Sequence, residues 1–283
     1  MSTVNVNGAR VYFEDQGGAG ETVVFSHGLL FDRRMFDDQV KVLSAHFRCV
    51  AFDWRGQGAT ETTRSGYDMD SLTDDAAAFI GALGLAPCHF IGLSMGGYAG
   101  LDLAIRRPEL LRSLVLMSAP AEAWSPGTAA RMLLLAHIAR VFGLRSVVGR
   151  VMSGFFGPTF NSDPEREDER AFWRAQVCAV DRVGAYRTVL GLASRRGVTG
   201  ELGRITTPTL IIAGEEDINF PHEEARRMAA GIPHAELVTI PHAGHYSAIE
   251  QPEDVTRAIA SFLSRVSAPS SAQAFGSKGS APE

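Results

Sequence analysis

Residues 89–108 read HFIGLSMGGYAGLDLAIRRP. A short apolar run, His89–Gly92, is followed by a turn. A helical stretch then runs from Gly97 to Arg107 and is stopped by Pro108. At the junction stands Gly92-Leu93-Ser94-Met95-Gly96, a G-x-S-x-G pattern. In a strand–turn–helix context this spacing has a mechanical meaning. The chain must reverse sharply, and side chains at 92 and 96 would collide across the turn. Ser94 is thereby raised at the tip, above the start of a helix whose dipole and free N–H groups favour negative charge. A glycine-rich turn with an incidental serine is the bland alternative, and the flanking elements weigh against it.

Moving outward, the same strand signature recurs. Thr22–Ser26, Arg48–Asp53 and Ser113–Ser118 are short continuous apolar runs, as in strands buried on both faces of a parallel sheet. Arg10–Glu14 alternates and predicts an antiparallel edge strand. Asp70–Leu83 carries acids in its first turn and stops at Gly84, which predicts a helix. This βαβα rhythm predicts a parallel sheet with helices on both faces. It breaks after Pro120. Residues 121–200 show helical periods and no strand, with a helix start at Ser162-Asp163-Pro164-Glu165. The rhythm then returns with strands at Thr209–Ala213 and Glu236–Ile240 and helices at Glu223–Ala230 and Pro252–Leu263. The expected organisation is a core over 1–120 and 201–266, a helical insertion over 121–200, and a disordered Ser/Ala/Pro/Gly-rich tail over 267–283.

Composition narrows the function classes. Of 283 residues, 45% are hydrophobic and 21% charged, which suits a globular chain. With 27 basic and 32 acidic residues the net charge is −5, so no nucleic-acid partner is expected. No apolar stretch is long enough to insert in a membrane, and the first twenty residues do not read as a secretion leader. Cys49, Cys88 and Cys178 form no paired pattern, which suits a reducing, cytoplasmic setting. No Cys/His set has zinc spacing, and neither a metal nor an organic cofactor is expected.

A serine nucleophile needs a base, and the base needs an acid to orient it. His245, on the loop after the last strand, can reach the edge where Ser94 stands. His242 is its near alternative and is expected to pack or face solvent. Asp217, on the loop after Thr209–Ala213, is the expected acid; Glu215 and Glu216 read as solvated charges, and Glu122 is a reserve. An oxyanion needs two N–H donors. Met95 follows the nucleophile and supplies one; Leu29, after the tight turn at Gly28, supplies the other. His27 is read as a brace of that turn rather than a second base.

On these residues the sequence resembles the α/β-hydrolase fold superfamily over roughly residues 8–265. The likeness rests on His27-Gly28, Asp53-Trp54-Arg55-Gly56-Gln57-Gly58, the turn around Ser94, Gly214-Glu215-Glu216-Asp217, and Gly244-His245 followed by Glu250 and Pro252. It implies a mostly parallel sheet flanked by helices, with a helical cap inserted after the sixth strand. It also implies a triad of Ser94, Asp217 and His245, oxyanion donors at Leu29 and Met95, and Arg55 anchoring loops. Thr60 stands where serine is usual. Members similar to this chain include carboxylesterases, enol-lactonases, acyl-homoserine lactonases and haloperoxidase-like esterases. Serine rather than aspartate at the turn argues against epoxide hydrolases and haloalkane dehalogenases.

Cleavage of a small to medium carboxylic ester or lactone is therefore expected, with such a molecule as the partner. Perhydrolysis and C–C bond hydrolysis would use the same residues, and a non-catalytic receptor is the reading from another class. Substrate choice should lie in the cap, with Leu30, Met132, Phe155, Phe156 and Trp173 as candidate pocket residues. Arginines there suit a solvated face, a substrate carboxylate or a lipid surface. Neither the natural substrate nor the oligomeric state can be read from the sequence.

Overall fold

The computed structural model describes residues 2–18 and 20–267. Eight strands form one sheet in the order β1-β2-β4-β3-β5-β6-β7-β8. They are β1 (Ser2–Val6), β2 (Ala9–Asp15), β3 (Thr22–Ser26), β4 (Arg48–Phe52), β5 (Cys88–Leu93), β6 (Leu111–Met117), β7 (Thr209–Gly214) and β8 (Glu236–Ile240). The pairs β1–β2 and β2–β4 are antiparallel; every other pair is parallel. In β5 and β7 every residue is buried, because helices cover both faces of the sheet. The strand around Arg10–Glu14 is antiparallel as expected, but it is not the edge. Ser2–Val6 pairs outside it from Ser2↔Phe13 to Val6↔Ala9.

Helices α1 (Asp37–Leu43), α2 (Met69–Ala82), α3 (Met95–Arg106), α9 (His222–Gly231) and α11 (Pro252–Ser267) flank the sheet, with the single turn α10 (Ser247–Glu250). α2 starts one residue earlier than the pattern suggests, because Asp68 caps it by accepting from the Ser71 N–H at 2.9 Å. Gly84 follows it with φ +61°, a conformation that costs other residues steric energy. The core spans both faces of the sheet and includes the fully buried Phe25, Phe52, Phe79 and Phe90. Each such side chain contributes about 1.5–3 kcal/mol on leaving water.

Between β6 and β7, the sixth and seventh strands, lie α4 (Pro126–Phe142), α5 (Val148–Phe155), α6 (Pro158–Ser162), α7 (Glu167–Ala179) and α8 (Arg182–Ala193). We call this stretch the cap. The helix start expected at Ser162–Glu165 is a 3-10 turn, Pro164–Arg166, capped by Asp163 and continued by α7. Cys49 and Cys88 are buried and unpaired, and burial pushes both thiols up to about 12. The tail expected from 267 onward lies, beyond Ser267, outside the described residues. Among the described residues no helix is long and apolar enough to cross a membrane.

Candidate active site

Four loops leave the carboxyl ends of parallel strands and carry the residues singled out in the sequence. Ser94 follows β5, Leu29 follows β3, Asp217 follows β7 and His245 follows β8. Such an edge is where open α/β sheets bind ligands.

Ser94 has φ 52° and ψ −109°, outside the regions a serine ordinarily occupies. Its N–H donates to the Met117 carbonyl (2.8 Å), and its carbonyl accepts from Tyr98 N–H (2.8 Å), so the turn is held from both sides. A Cβ at position 92 would lie 2.4 Å from the Gly96 carbonyl oxygen, and one at 96 would lie 2.3 Å from that of Ser26. The two glycines are therefore required by close backbone approach. Met95 begins α3, so its N–H has no acceptor within the helix.

His245 Nδ1 lies 2.8 Å from Asp217 Oδ2, with both side chains nearly enclosed. A carboxylate only accepts, so Nδ1 is the donor of this bond, and Nε2 is the ring nitrogen left for other chemistry. The other oxygen of Asp217 accepts from the Asn219 and Phe220 N–H groups at 2.8 and 3.0 Å. Burial pushes this carboxyl up, but the His245 imidazole and the backbone donors outweigh burial and hold it below its ordinary value. Ser94 and His245 line the same cavity, together with Leu29 and Tyr246.

The loop after β3 is fixed peptide by peptide. His27 Nδ1–H donates to the Gly28 carbonyl (2.7 Å), and Trp54 N–H donates to His27 Nε2 (2.9 Å). Both ring nitrogens are engaged and burial depresses the imidazole's pKa, so His27 is a neutral brace and not a base. The Gly28 carbonyl belongs to the peptide whose N–H is that of Leu29, so His27 sets the direction of that donor. Leu30, at φ 67°, gives its N–H to Gln57 Oε1 (2.6 Å), and Tyr246 Oη donates to the Leu29 carbonyl (2.6 Å). The Asp53–Gly58 turn supports this loop. Thr60 Oγ1 donates to the Asp53 carbonyl (2.7 Å), and Arg55 ties Asp75 (2.7 Å) to the Ser65 carbonyl (3.0 Å).

Two adjoining cavities open on the site, sharing Leu29, Arg131, Met132, Phe155 and Asn219. One, about 270 Å³, lies under the cap and is walled by Leu135, Leu144, Val147, Val151, Tyr186 and Val189. The other, about 260 Å³, holds Ser94 and His245 and is lined on its far side by Trp124, Ser125 and Arg195. Leu30, Met132 and Phe155 stand at these cavities. Phe156 and Trp173 do not. They are buried in an aromatic cluster around Phe31, with ring centroids 6.1 and 5.2 Å from it. Their large apolar rings fit either role, and only the packing of the cap assigns them to its core.

The alternatives are also placed. His242 is exposed at φ 56°, and Glu122 is exposed with its carbonyl accepting from Arg195 (2.7 Å). Glu216 is not merely solvated: its carboxylate accepts from the Thr159 N–H (2.9 Å) and ties the acid loop to the cap. Arg195 was not singled out by sequence. It is largely buried between the Tyr98 and Trp124 rings, and burial lowers its pKa to about 10 against the opposing charge of Glu224. An arginine after a helix end gives no local sign of burial. Among the described residues, no group of three or more His, Cys, Asp or Glu is placed to hold a metal.

Comparison with known proteins matches residues 23–258 to the model of the alpha/beta hydrolase family. A putative carbamate hydrolase from Pseudomonas syringae is 30% identical over 256 residues, 86% of this chain and 93% of that protein. Among solved structures, a thermophilic esterase from Thermogutta terrifontis superposes with a TM-score of 0.88 at 31% identity, over 94% of this chain and 100% of that one. The enol-lactonase from Burkholderia xenovorans gives 0.87 at 27% identity, over 93% and 100%.

Proposed function

The chain belongs to the alpha/beta hydrolase family, and from that premise we propose that it is a serine hydrolase of carboxylic esters or lactones, acting through an acyl-enzyme on Ser94. The observation that carries this reading is that His245, paired with Asp217 at 2.8 Å, lines one cavity with a serine at φ 52°. Ser94 Oγ attacks the substrate carbonyl carbon as its proton passes to His245 Nε2. The oxyanion is met by the N–H groups of Leu29 and Met95. His245 then gives the proton to the departing alcohol as the C–O bond breaks. Water enters, loses a proton to His245 and attacks the acyl carbon. The tetrahedral adduct collapses, the acid leaves and Ser94 Oγ recovers its proton. Asp217 holds the imidazole in the tautomer both steps need.

The 270 Å³ chamber supports an aliphatic or aryl acyl group, and the more polar cavity around Arg195 supports the alcohol side. The name of the Pseudomonas relative extends the reading to carbamates, whose carbonyl would be attacked by the same groups. A cytoplasmic location is part of the proposal and rests on the unpaired cysteines. The test is a panel of p-nitrophenyl esters, lactones and carbamates, assayed with wild type and Ser94→Ala. Turnover of at least one class, lost in Ser94→Ala by three orders of magnitude or more, is expected. Equal rates in the two proteins would remove Ser94 from the chemistry.

A further inference from the structure

Glu250 is 1% exposed; the Arg166 guanidinium donates to its backbone carbonyl, but among the described residues no ion pair within 4 Å reaches its carboxylate. It closes α10, and its side chain turns back under that turn. Its Oε2 accepts from the N–H groups of Gly157 and Gly244, each at 2.8 Å, and its Oε1 from that of Tyr246 at 3.1 Å. Gly244 and Tyr246 flank His245. Gly157 belongs to the cap, two residues after Phe155, which walls both cavities. One carboxylate therefore bridges the histidine loop and the cap.

The same joint is closed by further bonds. The Phe155 carbonyl accepts from the N–H groups of His245 (3.1 Å) and Tyr246 (3.3 Å). Asn219, beside Asp217, donates to the Gly154 carbonyl, and Glu216 holds Thr159. Arg166 of the cap donates to the Ile249 carbonyl at 2.8 Å. At the centre of the joint the backbones meet directly. A Cβ on Gly244 would lie 2.3 Å from the Gly157 nitrogen. That approach is what lets a single oxygen serve both amides. Burial pushes the Glu250 carboxyl up to about 7 against the pull of its three N–H donors, with the Asp217 charge adding to burial. A buried carboxylate without a paired cation is expensive to keep for packing alone.

We propose that Glu250 is a positioning residue for the histidine: it joins the loop of His245 to cap residues 154–159, so that the imidazole is correctly placed only while cap and loop are joined. The proposal rests on the hydrolase reading above. It makes the wall of the acyl chamber and the mount of the base a single hydrogen-bonded unit. An acyl group pressing on Phe155 then bears directly on the histidine.

The test uses the full chain with Glu250→Gln, Glu250→Asp and Arg166→Met. Gln places an N–H₂ against a backbone donor, Asp withdraws the carboxylate by one methylene, and Arg166→Met loosens the joint from the surface. Active sites are counted by fluorophosphonate titration, and kcat and KM for p-nitrophenyl acetate and octanoate are taken per titrated site. The His245 imidazole is followed by ¹⁵N NMR. We expect kcat per site to fall at least tenfold in both Glu250 variants and about threefold in Arg166→Met. KM for the acetate should stay within threefold, and the His245 ¹⁵N shifts should move off the wild-type positions. A kcat per site within twofold of wild type, with unchanged imidazole shifts, overturns the proposal and leaves Glu250 a packing residue. Wild type inert on both esters would count against the hydrolase reading instead, and the imidazole spectra would then decide on Glu250 alone.

Discussion

The Tyr246 hydroxyl donates to the Leu29 carbonyl at 2.6 Å, across 217 residues of chain. The neighbour of the proposed base thus holds the peptide that follows the proposed oxyanion donor. The other end of that peptide, the Leu30 N–H, is held by Gln57 at 2.6 Å, so it cannot flip. Tyr246 is enclosed and stacked on Phe31 with centroids 3.9 Å apart, and burial raises its pKa well above the ordinary value. It therefore remains a donor at any working pH.

Tyr246→Phe keeps the ring and removes that donor. The buried Leu29 carbonyl loses its partner, at a cost of about 1–3 kcal/mol in unfolding free energy. We expect kcat to fall roughly tenfold with little change in KM, because an oxyanion contact acts mainly in the transition state. Urea unfolding and steady-state kinetics check both. A variant equal to wild type in each would show the bond to be idle.

Asp217→Asn keeps the shape of the acid but faces the imidazole Nδ1 with a donor or a weaker acceptor. The expected loss in kcat is about 10⁴-fold, as follows from stabilising the wrong tautomer. A loss below tenfold would mean that Asp217 does not orient the base.

The same substitution has a pH signature in stability. The folded-state pKa of Asp217 lies below its ordinary value, so burial is outweighed by His245 and the backbone donors. A depressed carboxyl contributes stability that is present above the unfolded pKa, about 3.9, and is lost as pH falls through the folded value. The gap in unfolding free energy between wild type and Asp217→Asn should thus be full at pH 6–7 and shrink below about pH 4. Denaturant melts across that range test this, and a gap that widens in acid would reverse the sign.

Much of this site is local in sequence, and that part reads directly. Ser94 is legible because its strand, turn and helix are contiguous, and glycines 92 and 96 mark a close approach of neighbouring backbone. Asp217 and His245 each follow a strand at the same sheet edge. Ser2–Val6 gives only a weak signal, because it is largely exposed and carries just two alternating valines. The cap was the least legible part. Phe155 and Phe156 are adjacent, yet one walls the cavities and the other is core. Which side of a helix meets which neighbour is settled by packing, not by composition. Glu250 was visible only as part of a resemblance; its task depends on Gly157, 93 residues away.

The chamber of about 270 Å³ has room for roughly nine groups the size of a water at ~30 Å³ each. Each methylene buried there should add about 0.8 kcal/mol, roughly a fourfold rise in kcat/KM. We expect kcat/KM on p-nitrophenyl esters to climb from acetate to about octanoate and then fall. Val151→Trp, which fills the chamber, should move the optimum to shorter chains. An unchanged chain-length profile in that variant would place the acyl group elsewhere.

The most direct measurement is the mass of the enzyme caught during turnover. Wild type mixed with a slowly deacylating p-nitrophenyl ester and quenched in acid should gain one acyl group, and peptide mapping should locate it on Ser94. Ser94→Ala should gain none. An acyl group on another residue, or brisk turnover by Ser94→Ala, would contradict the proposed role of this serine.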